Sequence, residues 1–290
     1  MGIRIGGQAV VDGVMMRSDN YISTSVRKST GQIKTRSRKF ISITDKNKFF
    51  NLPLIRGLIM LFELMIQGTK ELLWSSNESA DEHEQLTKKD IIITVVLSLL
   101  IVLLVFKLLP FYLAGLISKG NNTWYFNLID GFIKIIIMMV YLYAISLMPD
   151  VKTLYEYHGA EHKAVACYES KKKLTPKNAI KFSRIHPRCG TTFVFLVFFV
   201  SIFFYVLIPL QTQFWGNYAL RILLLPIIAG VTYELIRLSG KYYSTNKFVR
   251  ILVWPGLQFQ RITTREPSLE QLEVSIASLN ACIKKEKAKA

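Results

Sequence analysis

The 290-residue chain is 51% hydrophobic yet has a formal net charge of +17, which excludes an ordinary soluble domain unless apolar and charged residues are segregated along the sequence. They are: long uncharged blocks alternate with Lys/Arg-rich ones, the pattern of an integral membrane protein with basic cytoplasmic loops. This placement accounts for the charge without a specific nucleic acid, leaving the lipid bilayer and a protein partner as expected contacts.

Residues 1–50 are polar, basic and dotted with glycine, and hold no apolar run long enough for a signal peptide; the chain is expected to start where its gene starts. Alternation from Tyr21 to Val26, turn chemistry at Ser29-Thr30-Gly31-Gln32 and extended character from Ile33 to Thr35 predict a β-hairpin. A third short strand is expected near residues 40–43, giving a small cytoplasmic β-rich element.

Residues 51–90 are expected to form a helix over 52–74 and then an acidic linker containing a surface His83. Pro53 suits the first helical turn. Arg56, Glu63 and Lys70 interrupt the apolar run, so the helix reads as interfacial or re-entrant, with a full span as the alternative.

Four transmembrane helices follow, two within 91–148 and two within 193–238, each close to the ~20 residues that cross ~30 Å of hydrocarbon. The first is expected at 91–109, ending at Pro110. The second, 127–147, carries Asp130 and Lys134 four residues apart, where they can pair. The third covers 193–210, and the fourth, 219–238, contains Glu234. The connections 110–126 and 211–218 are almost free of Lys and Arg but hold Trp124, Tyr125, Trp215 and Tyr218. The N-terminal block, the loop 149–192 and the C-terminal region 239–290 are basic, so all three, and both termini, are expected in the cytoplasm. In the C-terminal region, residues 250–265 alternate like strands about a Pro255-Gly256 turn. Ser268 and Gln271 then form a capping box, and Leu269, Leu272, Ile276, Leu279 and Ile283 mark one face of an amphipathic helix.

The chemistry concentrates in the cytoplasmic loop 149–192. His158-Gly159-Ala160-Glu161-His162-Lys163 sets two histidines and a glutamate on one helix face, in the H-x-x-E-H order of inverted zinc peptidases. Two imidazoles one turn apart can hold zinc or another divalent metal, and Glu161 would act as the general base on water. For the third ligand, Glu234 and His186 rank ahead of Cys189. Lys163 and Arg188 would contact an anion or lipid phosphate. Asp12 reads more readily as a turn residue than as part of the site. Cys167, Cys189 and Cys282 are too few and too scattered for a disulfide framework, and in a reducing cytosol they are expected as free thiols or metal ligands.

Several blocks together resemble the YqhQ family of bacterial integral membrane proteins. These are Gly6-Gly7-Gln8-Ala9-Val10 with Asp12-Gly13-Val14-Met15-Met16-Arg17, the His158 to Lys163 motif, His186-Pro187-Arg188-Cys189-Gly190-Thr191, and Pro255-Gly256-Leu257-Gln258 with Thr263-Thr264-Arg265-Glu266-Pro267. The resemblance implies several spans in a bacterial plasma membrane and cytoplasmic motif blocks. The family is of unknown function, sometimes labelled as predicted metal-dependent enzymes, and brings no substrate, reaction or partner. The expectation is therefore a mainly α membrane protein, a cytoplasm-facing metal-dependent enzyme of hydrolase type. The alternative is a non-catalytic accessory or scaffold protein that binds a translocon, a ribosome or acidic lipid.

Overall fold

The computed structural model describes residues 3–79, 88–119, 123–207 and 214–288; His83 and most of the acidic linker lie outside the described residues. The N-terminal block forms a four-stranded antiparallel meander of β1 (Gly6–Val10), β2 (Gly13–Arg17), β3 (Tyr21–Arg27) and β4 (Ile33–Lys39), in the order β1-β2-β3-β4. The β3–β4 hairpin falls where residue alternation placed it. The extra strands come from the glycine-dotted opening block and not from residues 40–43. There Ser42 instead caps the short helix α1 (Ile43–Lys46), its side chain accepting from the Thr44 N–H. Asp12, at φ 47°, makes the β1–β2 turn, a left-handed conformation that aspartate tolerates.

The sheet is covered on both sides, which explains the run of five buried residues from Ile22 to Val26 in β3. Met15, Ile22 and Val26 meet Leu72 and Trp74 of α2 (Ile55–Ser79). Val14 and Met16 meet Tyr157, Ala160 and Ala164 of α6 (Pro149–Glu169) and Leu272, Ile276 and Leu279 of α12 (Leu269–Lys287). The capping box of Ser268 and Gln271 opens α12.

α2 turns polar and small residues inward. Gly57, Glu63, Gly68, Glu71 and Ser75 are its buried positions, while Phe62 and Met65 are exposed at 63% and 64%. Glu71, 1% exposed, accepts from Thr24 Oγ1 at 2.6 Å, Arg36 Nη2 at 2.9 Å and Arg38 Nε at 2.8 Å.

Among the described residues, three helices are long and apolar enough to cross a membrane: Ile92–Ser118, Thr123–Ile145 and Trp215–Tyr242. The first runs past Pro110. α3 (Lys88–Leu103) passes through a π-helical turn at Leu104–Leu108 into α4 (Leu109–Ser118), with Pro110 in α4's first turn. Within this continuous helix proline removes one N–H donor, and the π-helical turn immediately before it is where the regular hydrogen-bond ladder is interrupted. The second is α5 (Thr123–Ile145). The third joins α9 (Phe214–Leu223) to α10 (Leu225–Tyr242) and takes in Trp215 and Tyr218, expected in a connection. α8 (Gly190–Val206) is a shorter apolar helix. A polar network ties these helices together. Asp130 pairs with Lys134 at 2.5 Å, as its spacing suggested, and with Arg221 at 3.2 Å. Arg221 also reaches Asn127 Oδ1 at 2.6 Å.

Residues expected as strands near 250–265 form a helix, α11 (Lys247–Thr263), with Pro255 inside it. Val253, Leu257, Gln260 and Thr263 recur at helical spacing on the buried face. Phe248, Ile251 and Trp254 recur at the same spacing on the outside, exposed at 71%, 71% and 60%. Two apolar faces on one helix produce an apparent alternation, which accounts for the strand-like reading. Gly256 lets α11 cross α8 closely, since a Cβ there would lie 2.7 Å from Thr192 Cγ2.

Candidate functional site

His158 and His162 lie one turn apart on α6, with ring centroids 4.4 Å apart. The helix is buried on nearly all sides over the motif: every residue from Gly159 to Val165 is buried. Gly159 is required there, because a Cβ would meet the Arg265 carbonyl oxygen at 2.1 Å. The chain after α11 crosses α6 at that point, and Arg265 N–H donates to the Tyr155 carbonyl at 2.9 Å.

The third group is Cys189, the N-cap of α8, whose Sγ lies 3.2 Å from His158 Nε2. His158, His162 and Cys189 present ligand atoms all within 4.8 Å of one another. Tetrahedral zinc sets its nitrogen and sulfur ligands ~3.3–3.8 Å apart, so the widest pair would have to close by up to roughly 1–1.5 Å to share an ion.

Backbone carbonyls fix the orientation of both rings. His158 Nδ1 lies 2.8 Å from the Thr263 carbonyl, and His162 Nδ1 lies 2.6 Å from the Arg184 carbonyl. A carbonyl only accepts, so each Nδ1 bears the hydrogen, and in the neutral form of either ring the lone pair is then on Nε2. This is the outer-shell arrangement that orients metal-ligating histidines. Cys189 Sγ also lies within 4.8 Å of a His162 ring nitrogen. A single S–H cannot satisfy two imidazole lone pairs, and burial holds the His162 pKa low, which disfavours a charged ring.

The end of α11 supplies the first of these acceptors, and the loop before α8 supplies the second. The last carbonyls of a helix have no intrahelical partner, and here side chains from elsewhere fill them. Arg184 Nη1 donates to the Thr264 carbonyl and to Thr264 Oγ1. Gln260, fully buried, brackets His186. Its Oε1 accepts from the His186 N–H at 2.9 Å, and its Nε2 donates to the His186 carbonyl at 2.8 Å and to Thr192 Oγ1 at 2.9 Å. Nothing in the pattern of residues pointed to Gln260; only an alternation read as a helix would have placed it on the inner face.

Glu161 is buried beside the cluster. Burial pushes its carboxyl up, opposed by His158, His186 and a hydrogen bond from the Gly7 N–H. A Cβ on Gly7 would lie 2.9 Å from Glu161 Cγ, so the opening strand packs directly on this carboxylate. His186 stands next to the cluster, its ring centroid 5.7 Å from that of His162, but its Nε2 lies 3.5 Å from Glu169 Oε2.

The remaining candidates have other partners. Glu234 is not brought to the cluster: its two carboxylate oxygens take Arg56 Nε at 2.7 Å and Nη2 at 2.5 Å, tying α10 to α2. Lys163 is buried and donates to the Ile180 and Phe182 carbonyls at 2.9 and 2.7 Å and to Glu266 at 2.9 Å. It therefore clamps the loop instead of facing lipid. Arg188 pairs with Glu169. Asp12 stays in its turn. All three cysteines are free and buried.

The sequence matches, over residues 52–285, the family described as "Protein of unknown function (DUF1385)". It is 34% identical to the protein described as "Uncharacterized protein YqhQ" from Bacillus subtilis (strain 168), an alignment that covers 97% of this chain and 92% of that protein. No solved structure matches the chain. On the family match and on this likeness across nearly its full length, the chain belongs to the YqhQ (DUF1385) family.

Proposed function

We propose that this protein is a membrane-embedded metal-dependent enzyme of hydrolase type, working at the cytoplasmic face of the bacterial plasma membrane. His158, His162 and Cys189 would hold a divalent ion, with zinc favoured by the nitrogen and sulfur donors. The observation that carries the reading is the pair of carbonyl-anchored imidazoles whose Nε2 atoms converge on one thiol. Three protein ligands leave a fourth position open, as in catalytic rather than structural zinc sites. When bound, such an ion supplies Lewis-acid activation of water and of an electrophilic carbon or phosphorus. Glu161, held between α6 and the Gly7 N–H, would take and return the proton. The substrate would be a membrane-proximal peptide or lipid-linked group.

In the topology that goes with this reading, α8 is a fourth span and both termini are cytoplasmic. The inverted amphipathicity of α2 supports its place at the interface, because a helix with carboxylates inside and Phe62 and Met65 outside suits an apolar surround. The test is elemental analysis of the purified protein beside His162→Ala and Cys189→Ala. About one ion per chain is expected in the wild type, with loss in both variants; a wild type free of stoichiometric metal would end the proposal.

The outward apolar face of α11 favours a second reading, a non-catalytic accessory protein that docks a partner or acidic lipid. The two separate on Glu161→Gln. An enzyme variant that keeps its metal fails to complement a deletion strain, whereas an accessory protein complements it.

A further inference from the structure

Where the end of α11 meets the start of α6, the surface holds a cavity of about 530 Å3, within the ~300–1,000 Å3 usual for small-ligand sites. Its charged lining is Lys152, Arg184, Arg261 and Arg265 against Glu156 and Glu266. Glu266 is ion-paired, whereas Glu156 keeps its charge, because the Gln271 amide it accepts from is neutral. Glu266 pairs with Lys163 at 2.9 Å and with Arg184 at 3.5 Å, and Glu156 accepts from Gln271 at 2.9 Å. Arg265 donates to the Ser146 carbonyl, which leaves its charge uncompensated. Lys152 and Arg261 are exposed and have no ion pair among the described residues. Four cations against two carboxylates leave the lining with a formal charge of +2, and the Arg261 and Arg265 guanidinium groups have no ion pair among the described residues.

Its position is equally specific. Tyr143, at the end of α5, forms part of the wall and is 62% exposed, and Leu147 and Met148 follow it at 66% and 53%. An exposed aromatic at the end of an apolar helix is typical of the membrane–water boundary. We propose that this cavity binds a phosphate-bearing group at the membrane surface, the chemistry shared by an anionic phospholipid headgroup and a soluble phosphate ester. Guanidinium forks match phosphate oxygens in pairs. The site is separate from the imidazole–thiol cluster and stands whether or not that cluster holds a metal. The two share Arg184, whose carbonyl anchors His162 while its side chain lines the cavity.

The test is a binding titration of the full chain in neutral detergent against short-chain phosphatidylglycerol, diacylglycerol of the same chain length, and glycerol 3-phosphate. The variant is Lys152→Gln combined with Arg261→Gln, both exposed positions without ion pairs, and its melting temperature should match the wild type. Saturable binding of a phosphate compound is expected, weakened about tenfold or more in the variant. Binding of phosphatidylglycerol alone identifies a lipid headgroup as the source, and equal binding of glycerol 3-phosphate identifies a soluble ester. Lys152→Glu alone gives the same reading if the double variant is unstable. Unchanged affinity in a folded variant, equal binding of diacylglycerol and phosphatidylglycerol, or no saturable binding of any phosphate compound would overturn the proposal.

Discussion

The Thr263 carbonyl, in the last turn of α11, accepts from His158 Nδ1 at 2.8 Å, so one helix terminus sets the tautomer of a ring on another helix. The two residues are 105 positions apart in sequence, and the crossing at Gly159 keeps them in register. Gly159→Ala would drive a methyl group into the Arg265 carbonyl and push residues 265–267 off α6. We expect a loss of about 1–3 kcal/mol of stability from overpacking. At the proposed metal site, affinity should fall about 10–100-fold, as for other outer-shell lesions, with His158, His162 and Cys189 unchanged. Thermal unfolding and a competitive zinc titration measure the two effects, and an unchanged zinc affinity would contradict the coupling.

Gln260→Leu tests the same scaffold from the other side. It removes three hydrogen bonds and leaves the buried Thr192 hydroxyl and the half-buried His186 N–H and carbonyl without this partner. Each unsatisfied group costs about 1–3 kcal/mol, so a destabilisation of about 3 kcal/mol or more is expected in chemical denaturation. Gln260→Glu keeps an acceptor for the His186 N–H but loses the donor, and should fall between wild type and Gln260→Leu.

These relationships mark how far the sequence could be read. The β3–β4 hairpin, the motif helix, the capping box at Ser268 and Gln271 and the apolar blocks all follow from local spacing, and the structure has them. What depends on distant packing was not legible. α11 has one face for the protein and one facing outward, so its helical period was masked. Glu234 looked like a ligand because its partner, Arg56, lies 178 residues away. Cys189 ranked last, because only the fold of the loop brings α8's N-cap against α6. Gly7 and Gly159 had no evident role until the backbone or side chain lying against each was known.

Glu71 gives the sheet an acid-sensitive anchor. Burial alone would raise its carboxyl, but hydrogen bonds from Thr24, Arg36 and Arg38 outweigh it and hold the group below its ordinary value. A depressed folded-state value stabilises the protein fully above the unfolded-state value and is lost as pH falls through the folded one. Stability of the N-terminal sheet should therefore fall as pH drops below the ordinary carboxylate range. Glu71→Gln should be less stable than wild type at neutral pH and lose less on acidification. Amide hydrogen exchange of β3 and β4 against pH reports this directly, and parallel pH profiles for the two proteins would refute the assignment.

Asp130 holds the centre of the apolar helices, facing Lys134 at 2.5 Å and Arg221 at 3.2 Å with all three side chains almost fully buried. Removing one partner of a buried ion pair is far costlier than never having the pair, because the remaining charge stays desolvated. Asp130→Asn leaves two cations facing one neutral amide, and a loss of about 3–5 kcal/mol is expected. Lys134→Met added to Asp130→Asn removes one of the stranded charges and should recover part of that loss, although the variant lacks the whole pair. The measurement is the yield of folded, detergent-extracted protein and its melting temperature across the double-mutant cycle. If Asp130→Asn and the double variant were equally unstable, the cost would lie in shape and not in charge, and the network would be a packing element alone.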